Sequence, residues 1–177
     1  MTPEFSRPYR LDQIGAGEVR VDVAAEPDER AALARRFALK ALDKLEASYA
    51  IRRDATGVIA RGHLSGQVTQ SCVVTDEPVP ATIEEDFAIR FLPETEGPEA
   101  GDDEFELSED ECDTVFYSGS AIDLGEAAAE TLALALDPFP RSPNAAEVLK
   151  QAGVLSEEEA GPFGALAGLK DKLGKKP

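Results

Sequence analysis

The stretch VIARGHLSGQVT, residues 58–69, decides the fold. Val58, Ala60, Gly62, Leu64, Gly66 and Val68 share one parity, and Arg61, His63, Ser65, Gln67 and Thr69 share the other. Successive side chains of a strand point to opposite faces, so the stretch reads as one long strand with a small apolar face and a polar one, His63 on the latter. Upstream, Ser48 to Arg53 is its partner across a tight turn at Asp54, Ala55, Thr56 and Gly57. Downstream of Pro80, Ala81, Ile83, Phe87, Ile89 and Phe91 share a parity against Thr82, Glu84, Asp86 and Arg90, with Glu85 the exception. Consecutive strands joined by short turns predict an antiparallel sheet. Gly62 and Gly66 allow a curved or barrel-like course without requiring closure, and mark a bend or a close approach of another segment.

Outside this centre the periods change. Pro27, followed by Asp28 and Glu29, suits the first turn of a helix. Leu33, Phe37, Ala41 and Leu45 then recur every four residues, predicting a helix over 28–46. Before it, Tyr9 to Ile14 and Val19 to Val23 read as an N-terminal hairpin. Thr114 to Tyr117 reads as a last short strand. Asp123 caps a second helix, 124–136, whose stripe is Leu124, Ala128, Leu132 and Leu136 and whose end is set by Pro138. The fold class is therefore α+β: an antiparallel sheet of five to seven strands with two packed helices, in a single domain over 1–140. Residues 141–177 are expected to be a tail with short helices at Ala145 to Gln151 and Phe163 to Leu173.

Charge is distributed unevenly. The 177 residues carry a net charge of −17, yet residues 1–61 hold eleven bases against ten acids. Residues 94–113 hold eleven acids and no base, inside a block from Asp76 to Asp137 with twenty acids and the single base Arg90. The stretch 94–111 has too few apolar residues to offset the entropy of ordering it, and is expected to be a disordered, solvated loop. Such asymmetry concerns partners rather than fold. It permits a polyanion held by the N-terminal part, or a basic protein held by the acidic part.

Candidate RNA-binding residues come from the first predicted helix. Arg36, Lys40 and Lys44 fall at i, i+4 and i+8 with Arg35 beside them, and Arg52, Arg53 and Arg61 extend the stripe onto the neighbouring hairpin. The competing reading is a solvated helix face paired with acids such as Asp43 and Glu46. Stacking platforms for bases are poor, since the chain has no Trp and its Phe residues mostly occupy core parity.

Catalytic chemistry finds little support. Cys72 and Cys112 are far apart, and His63 is the only histidine. A Cys72/His63 pair lacks an orienting third group, Gly15-Ala16-Gly17 lacks the later glycines and lysine of phosphate loops, and carboxylate pairs are expected by chance in so acidic a block. No catalytic residue, metal or cofactor is assigned. No apolar run approaches the roughly 18 residues of a membrane span, and Met1 to Arg10 is not a signal peptide, so a cytoplasmic protein with no membrane partner is expected.

The segment QSCVVTDEPV at 70–79, together with IDLGEAAAETLALALDPFPRSP at 122–143, resembles the YceD family, also called domain of unknown function 177, in its alphaproteobacterial form. The matching positions are Cys72 in a turn before a strand, Asp123 and Leu124 opening a helix, and Leu136 and Pro138 closing it. The resemblance implies a non-enzymatic factor in ribosome large-subunit biogenesis, supporting accumulation of 23S ribosomal RNA within a protein-containing assembly particle. Its partners would be ribosomal RNA or a pre-ribosomal particle. The alternative is an acidic module that captures a basic ribosomal protein. Many family members carry a second cysteine three residues after the first and another pair after the last helix, which suggests a zinc knuckle. Here Thr75 holds the first of those positions and no cysteine follows Leu136, leaving Cys72, Cys112 and His63 as the only nitrogen or sulfur ligands.

Overall fold

The computed structural model describes residues 3–55, 57–94 and 113–154. The acidic loop expected over 94–111, beyond Glu94, lies outside them, as do Cys112 and the helix expected at Phe163 to Leu173. The chain divides into two compact units, residues 1–70 with 80–138 and residues 71–79 with 139–177.

The larger unit is built on a five-stranded sheet in the order β2-β3-β4-β5-β6: β2 Val19–Ala24, β3 Ala41–Arg53, β4 Val58–Ser71, β5 Pro78–Pro93 and β6 Asp113–Tyr117. The sheet is open, with β2 and β6 at its ends. β3 runs antiparallel to both β2 and β4. β6 departs from the expected antiparallel pattern and pairs parallel with β5, Ile89 opposite Asp113 and Pro93 opposite Tyr117. A parallel pair needs a crossover of about a dozen residues or more, and the acidic stretch between Pro93 and Asp113 has that length.

The predicted helix over 28–46 is shorter than its periodicity suggested. α1 covers Pro27–Arg36, and the chain reverses at Ala38, whose φ of 53° is left-handed, before entering β3 at Ala41. The pairing of β3 with β4 shifts register between Leu42 and Lys44, so a bulge puts Leu42 and Leu45 on the same face although they are three residues apart. That spacing imitates a helix. Beyond the bulge Leu45, Ala47, Tyr49 and Ile51 alternate as buried strand residues.

The N-terminal hairpin is also replaced. β1, Pro8–Arg10, pairs antiparallel with β7, Ala121–Asp123, instead of with β2. β7 leads directly into α2, Leu124–Ala135. At this junction one Asp123 carboxylate oxygen accepts the backbone N–H groups of Gly125 (3.0 Å), Glu126 (3.1 Å) and Arg7 (2.8 Å), and the other accepts the Ser6 hydroxyl at 2.5 Å. Gly125 is required there, since a Cβ would lie 2.7 Å from the Phe5 carbonyl oxygen. Both helices cover the same inner face: Leu33, Leu124, Ala128 and Leu132 join Leu45, Tyr49, Leu64 and Phe91 in one core. The Tyr49 hydroxyl donates to the Leu124 carbonyl at 2.7 Å, and Phe87 packs edge-on to the Tyr49 ring over the space left by Gly62.

In the smaller unit, α3 spans Ala145–Gln151. The turn after β4 is tied to the segment after Pro138 by the Val73 N–H donating to the Pro140 carbonyl at 2.9 Å.

Replacing Asp123 by Ala removes the N-cap of α2 and two further acceptor contacts, to Arg7 and Ser6. Urea denaturation should show a loss of about 2–3 kcal/mol. Ala38→Gly should gain up to about 1 kcal/mol by relieving the left-handed backbone. An Asp123→Ala protein as stable as the parent would contradict the role given to this junction.

Candidate nucleic-acid interface

The helices leave the opposite face of the sheet open, and its side chains follow from the register. Arg20 on β2 pairs with Ala50 on β3, which pairs with Arg61 on β4, and Arg52 lies two residues along β3 from Ala50. Arg20, Arg52 and Arg61 therefore surround a small alanine, with the Arg20 and Arg61 backbones about 10 Å apart across two strand spacings. All three are exposed, and none has a side-chain hydrogen bond or ion pair. The other arginines on this unit are largely committed: Arg7 to Glu29, Arg10 to Asp12, Arg36 to Glu4 and Glu126, and Arg90 to Asp54. Arg53 ends β3 and is exposed, but its parity is that of Ile51, on the other face of the sheet.

The basic residues expected on one helix face are dispersed. Arg35 and Arg36 occupy the last turn of α1, Lys40 precedes β3, and Lys44 lies on β3. Arg36 bridges Glu126 at 2.8 Å and Glu4 at 3.0 Å, joining α1, α2 and the N-terminal segment; the Glu126 bond leads in raising its pKa. Lys44 contacts Glu46 at 3.0 Å and the Ser65 hydroxyl at 3.4 Å. The i, i+4, i+8 stripe does not exist because the helix ends before Lys40. Of the earlier candidates, Arg52 and Arg61 come together. Arg20, which was not singled out, joins them; the alternation of Val19, Val21 and Val23 against Arg20 and Asp22 was the available signal.

Farther along the same face the charge changes sign. Asp22, Ser48 and His63 form the next rung, and His63 lies between two β5 carboxylates, Nδ1 2.7 Å from Asp86 and Nε2 2.8 Å from Glu84. Glu84 also accepts the Ser65 hydroxyl at 2.9 Å. Because both ring nitrogens face acceptors, the imidazolium is favoured, and the bond to Asp86, then that to Glu84, raises the His63 pKa. The open face is thus basic around Ala50 and acidic around His63.

Cys72 lies in the smaller unit, where its Sγ accepts the N–H of Ser142 at 3.2 Å and of Val74 at 3.5 Å. Thr75 and Ser142 share a hydroxyl hydrogen bond at 3.1 Å. Burial pushes the thiol up, but the bonds from Ser142, Thr75 and Val74 outweigh it and draw the pKa to about 6. Among the described residues no cluster of three or more His, Cys, Asp or Glu side chains is arranged to hold a metal ion. Hydrogen bonds join the turn at positions 72 and 75 to residue 142. Among the described residues no helix is long and apolar enough to cross a membrane.

Fold and surface together describe an α+β protein with a local cluster of arginines on one sheet face of an otherwise acidic chain. The chain belongs to the family of the large ribosomal RNA subunit accumulation protein YceD, which it matches over residues 60–170. That range takes in Arg61, Cys72 and the Asp123 to Pro138 helix motif, and begins after Arg20 and Arg52. No curated protein and no solved structure matches the chain. The family's role is accumulation of large-subunit ribosomal RNA.

The His63 bridge has a pH signature. A raised folded-state pKa gives stability that is fully present below the unfolded value near 6.5 and is lost as pH rises through the folded value. The melting temperature of His63→Gln should fall below the parent's at pH 5.5 and coincide with it at pH 9. An equal gap at both values would show that His63 acts by packing alone.

Proposed function

We propose that the protein is a non-enzymatic, cytoplasmic factor in ribosome large-subunit biogenesis that supports 23S ribosomal RNA accumulation by meeting ribosomal RNA inside a protein-containing particle. The observation that carries this reading is the group of Arg20, Arg52 and Arg61 around Ala50 on the open sheet face. Three guanidinium groups clustered without acidic partners are unfavourable to one another, and an external polyanion relieves the repulsion. With a net charge of −17 the chain as a whole repels RNA. The screening length of about 8 Å at physiological salt lets a local basic patch act over contact distances only. Affinity for bare RNA is accordingly weak, and other particle components supply the remainder. Arg53, at the end of β3, has the parity of Ile51 and belongs to the other face of the sheet. Arg35 and Lys40 lie on a separate surface, while Arg36 and Lys44 serve internal ion pairs.

Replacement of Arg20, Arg52 and Arg61 by Glu should remove the protein from large-subunit precursor particles and, in a deletion strain, fail to restore 23S ribosomal RNA levels. Changing the same residues to Gln should lower the salt slope of RNA binding by about 2, from three lost phosphate contacts on a single strand. Retention of the Glu variant on particles, with loss on neutralising acids 99–111, would instead support capture of a basic ribosomal protein. Normal particles after gene deletion would contradict the assembly role.

A further inference from the structure

The open face of the sheet carries an aromatic side chain as well as its arginines. Ile89 and Phe91 on β5 are buried in the core, so their register partners Asp113 and Val115 on β6 share that side, and Arg90, Leu92, Thr114 and Phe116 share the open one. Phe116 is 62% exposed, and among the described residues of the larger unit no other Phe is exposed. Its neighbours Val115 and Tyr117 pack against the core, which fixes the direction in which the Phe116 ring points.

The ring belongs to the same surface as Arg52 and Arg61. Phe116 stands opposite Leu92, and the Leu92 side chain reaches the start of β4, where a Cβ on Gly57 would meet it at 3.1 Å. Two residues along β4 from Gly57, Ile59 lies opposite Arg52 and two residues before Arg61. Ile59 is buried and Leu92 half-buried, so an apolar strip runs from the arginines to the ring, and the ring is its solvent-exposed end. Strand spacings and residue rises put Phe116 roughly 16 Å from both Arg52 and Arg61. Arg90 and Asp54 pair with each other at 3.2 Å and add no net charge to the strip, and Asp113 has the other parity. A flat ring on a sheet face, with guanidinium groups a few nucleotides away, matches the bases and the phosphates of a single strand.

We propose that Phe116 stacks on an unpaired base of an RNA strand whose phosphates lie on Arg52 and Arg61. The proposal rests on the reading that the open face meets RNA, and it adds a preference for single strands, because a base inside a duplex has no free face to offer the ring. Every base has a π-face, so the preference is for strandedness and not for sequence.

The chain has no Trp, so Phe116→Trp places a single indole at the site, and Leu134→Trp, at an exposed position on α2, serves as the control. The full-length proteins are titrated at low salt with a single-stranded adenosine oligomer and with a GC-rich RNA duplex of the same length. The single strand should quench the indole fluorescence of the Phe116→Trp protein and the duplex should not, while the Leu134→Trp protein should respond to neither. Phe116→Ala should weaken single-strand binding by at least about five-fold, the loss of one base contact, and leave duplex binding unchanged. Phe116→Tyr should keep the parental affinity, and circular dichroism checks that all variants remain folded. Equal single-strand binding by the parent and Phe116→Ala proteins would overturn the proposal even if the Arg20, Arg52 and Arg61 variants lose particle association, in which case the general RNA reading stands. Equal quenching of the Phe116→Trp protein by single strand and duplex would overturn it in favour of contact through phosphates alone.

Discussion

The Asp123 carboxylate is the constraint on which the rest of the larger unit depends. Through one oxygen it caps α2 and holds the backbone of Arg7, and through the other it holds Ser6, so the N-terminal segment and the start of α2 are fixed to one point. The Tyr49 hydroxyl reaches the Leu124 carbonyl one residue later and fixes that point over the centre of β3. α2 can then run only across the inner face, with Leu132 over Gly66. With both helices committed to that face, the other stays open, and the placement of the arginines around Ala50 follows from strand alternation alone.

Charge on this protein is managed by pairing. Arg7, Arg10, Arg36 and Arg90 are drawn into ion pairs with carboxylates of the same unit, and such partly exposed pairs contribute about 0–1 kcal/mol each, so their main effect is on what remains displayed. Arg20, Arg52 and Arg61 remain on the open face, and Arg35 at the end of α1. His63 adds a pH-dependent boundary, since its two carboxylate partners mark where the open face becomes acidic. A strongly acidic chain can in this way carry local surfaces suited to phosphate while long-range repulsion discourages binding to RNA at large.

Much of the fold was legible because the signals were local. The alternation in 58–69 and 81–91, the Asp123 cap and the length of α2 required no knowledge of distant contacts. The errors arose where tertiary structure used a spacing that two elements share. The bulge at Leu42 and Lys44 made a strand entry look like three more turns of helix, and this carried Lys40 and Lys44 onto a helix face that does not exist. The pairing of β1 with β7 joins residues more than 100 positions apart, which no local pattern encodes. The same holds for the site: Arg52 and Arg61 are diagonal neighbours on one face of a readable hairpin, whereas Arg20 joins them only through the β2–β3 register. The early end of α1 goes with a left-handed Ala38, an ordinary alanine in the sequence.

We propose that the open sheet face touches ribosomal RNA within the assembling large subunit. Photo-crosslinking of the protein in isolated precursor particles, with mass spectrometry of the peptide–nucleotide adducts, tests it most directly. The account predicts adducts to 23S ribosomal RNA on peptides containing Arg20, Arg52 or Arg61, and none on the acidic β5 peptide around Glu84 to Asp86. Adducts absent from the arginine peptides, with crosslinks only to ribosomal proteins, would contradict it.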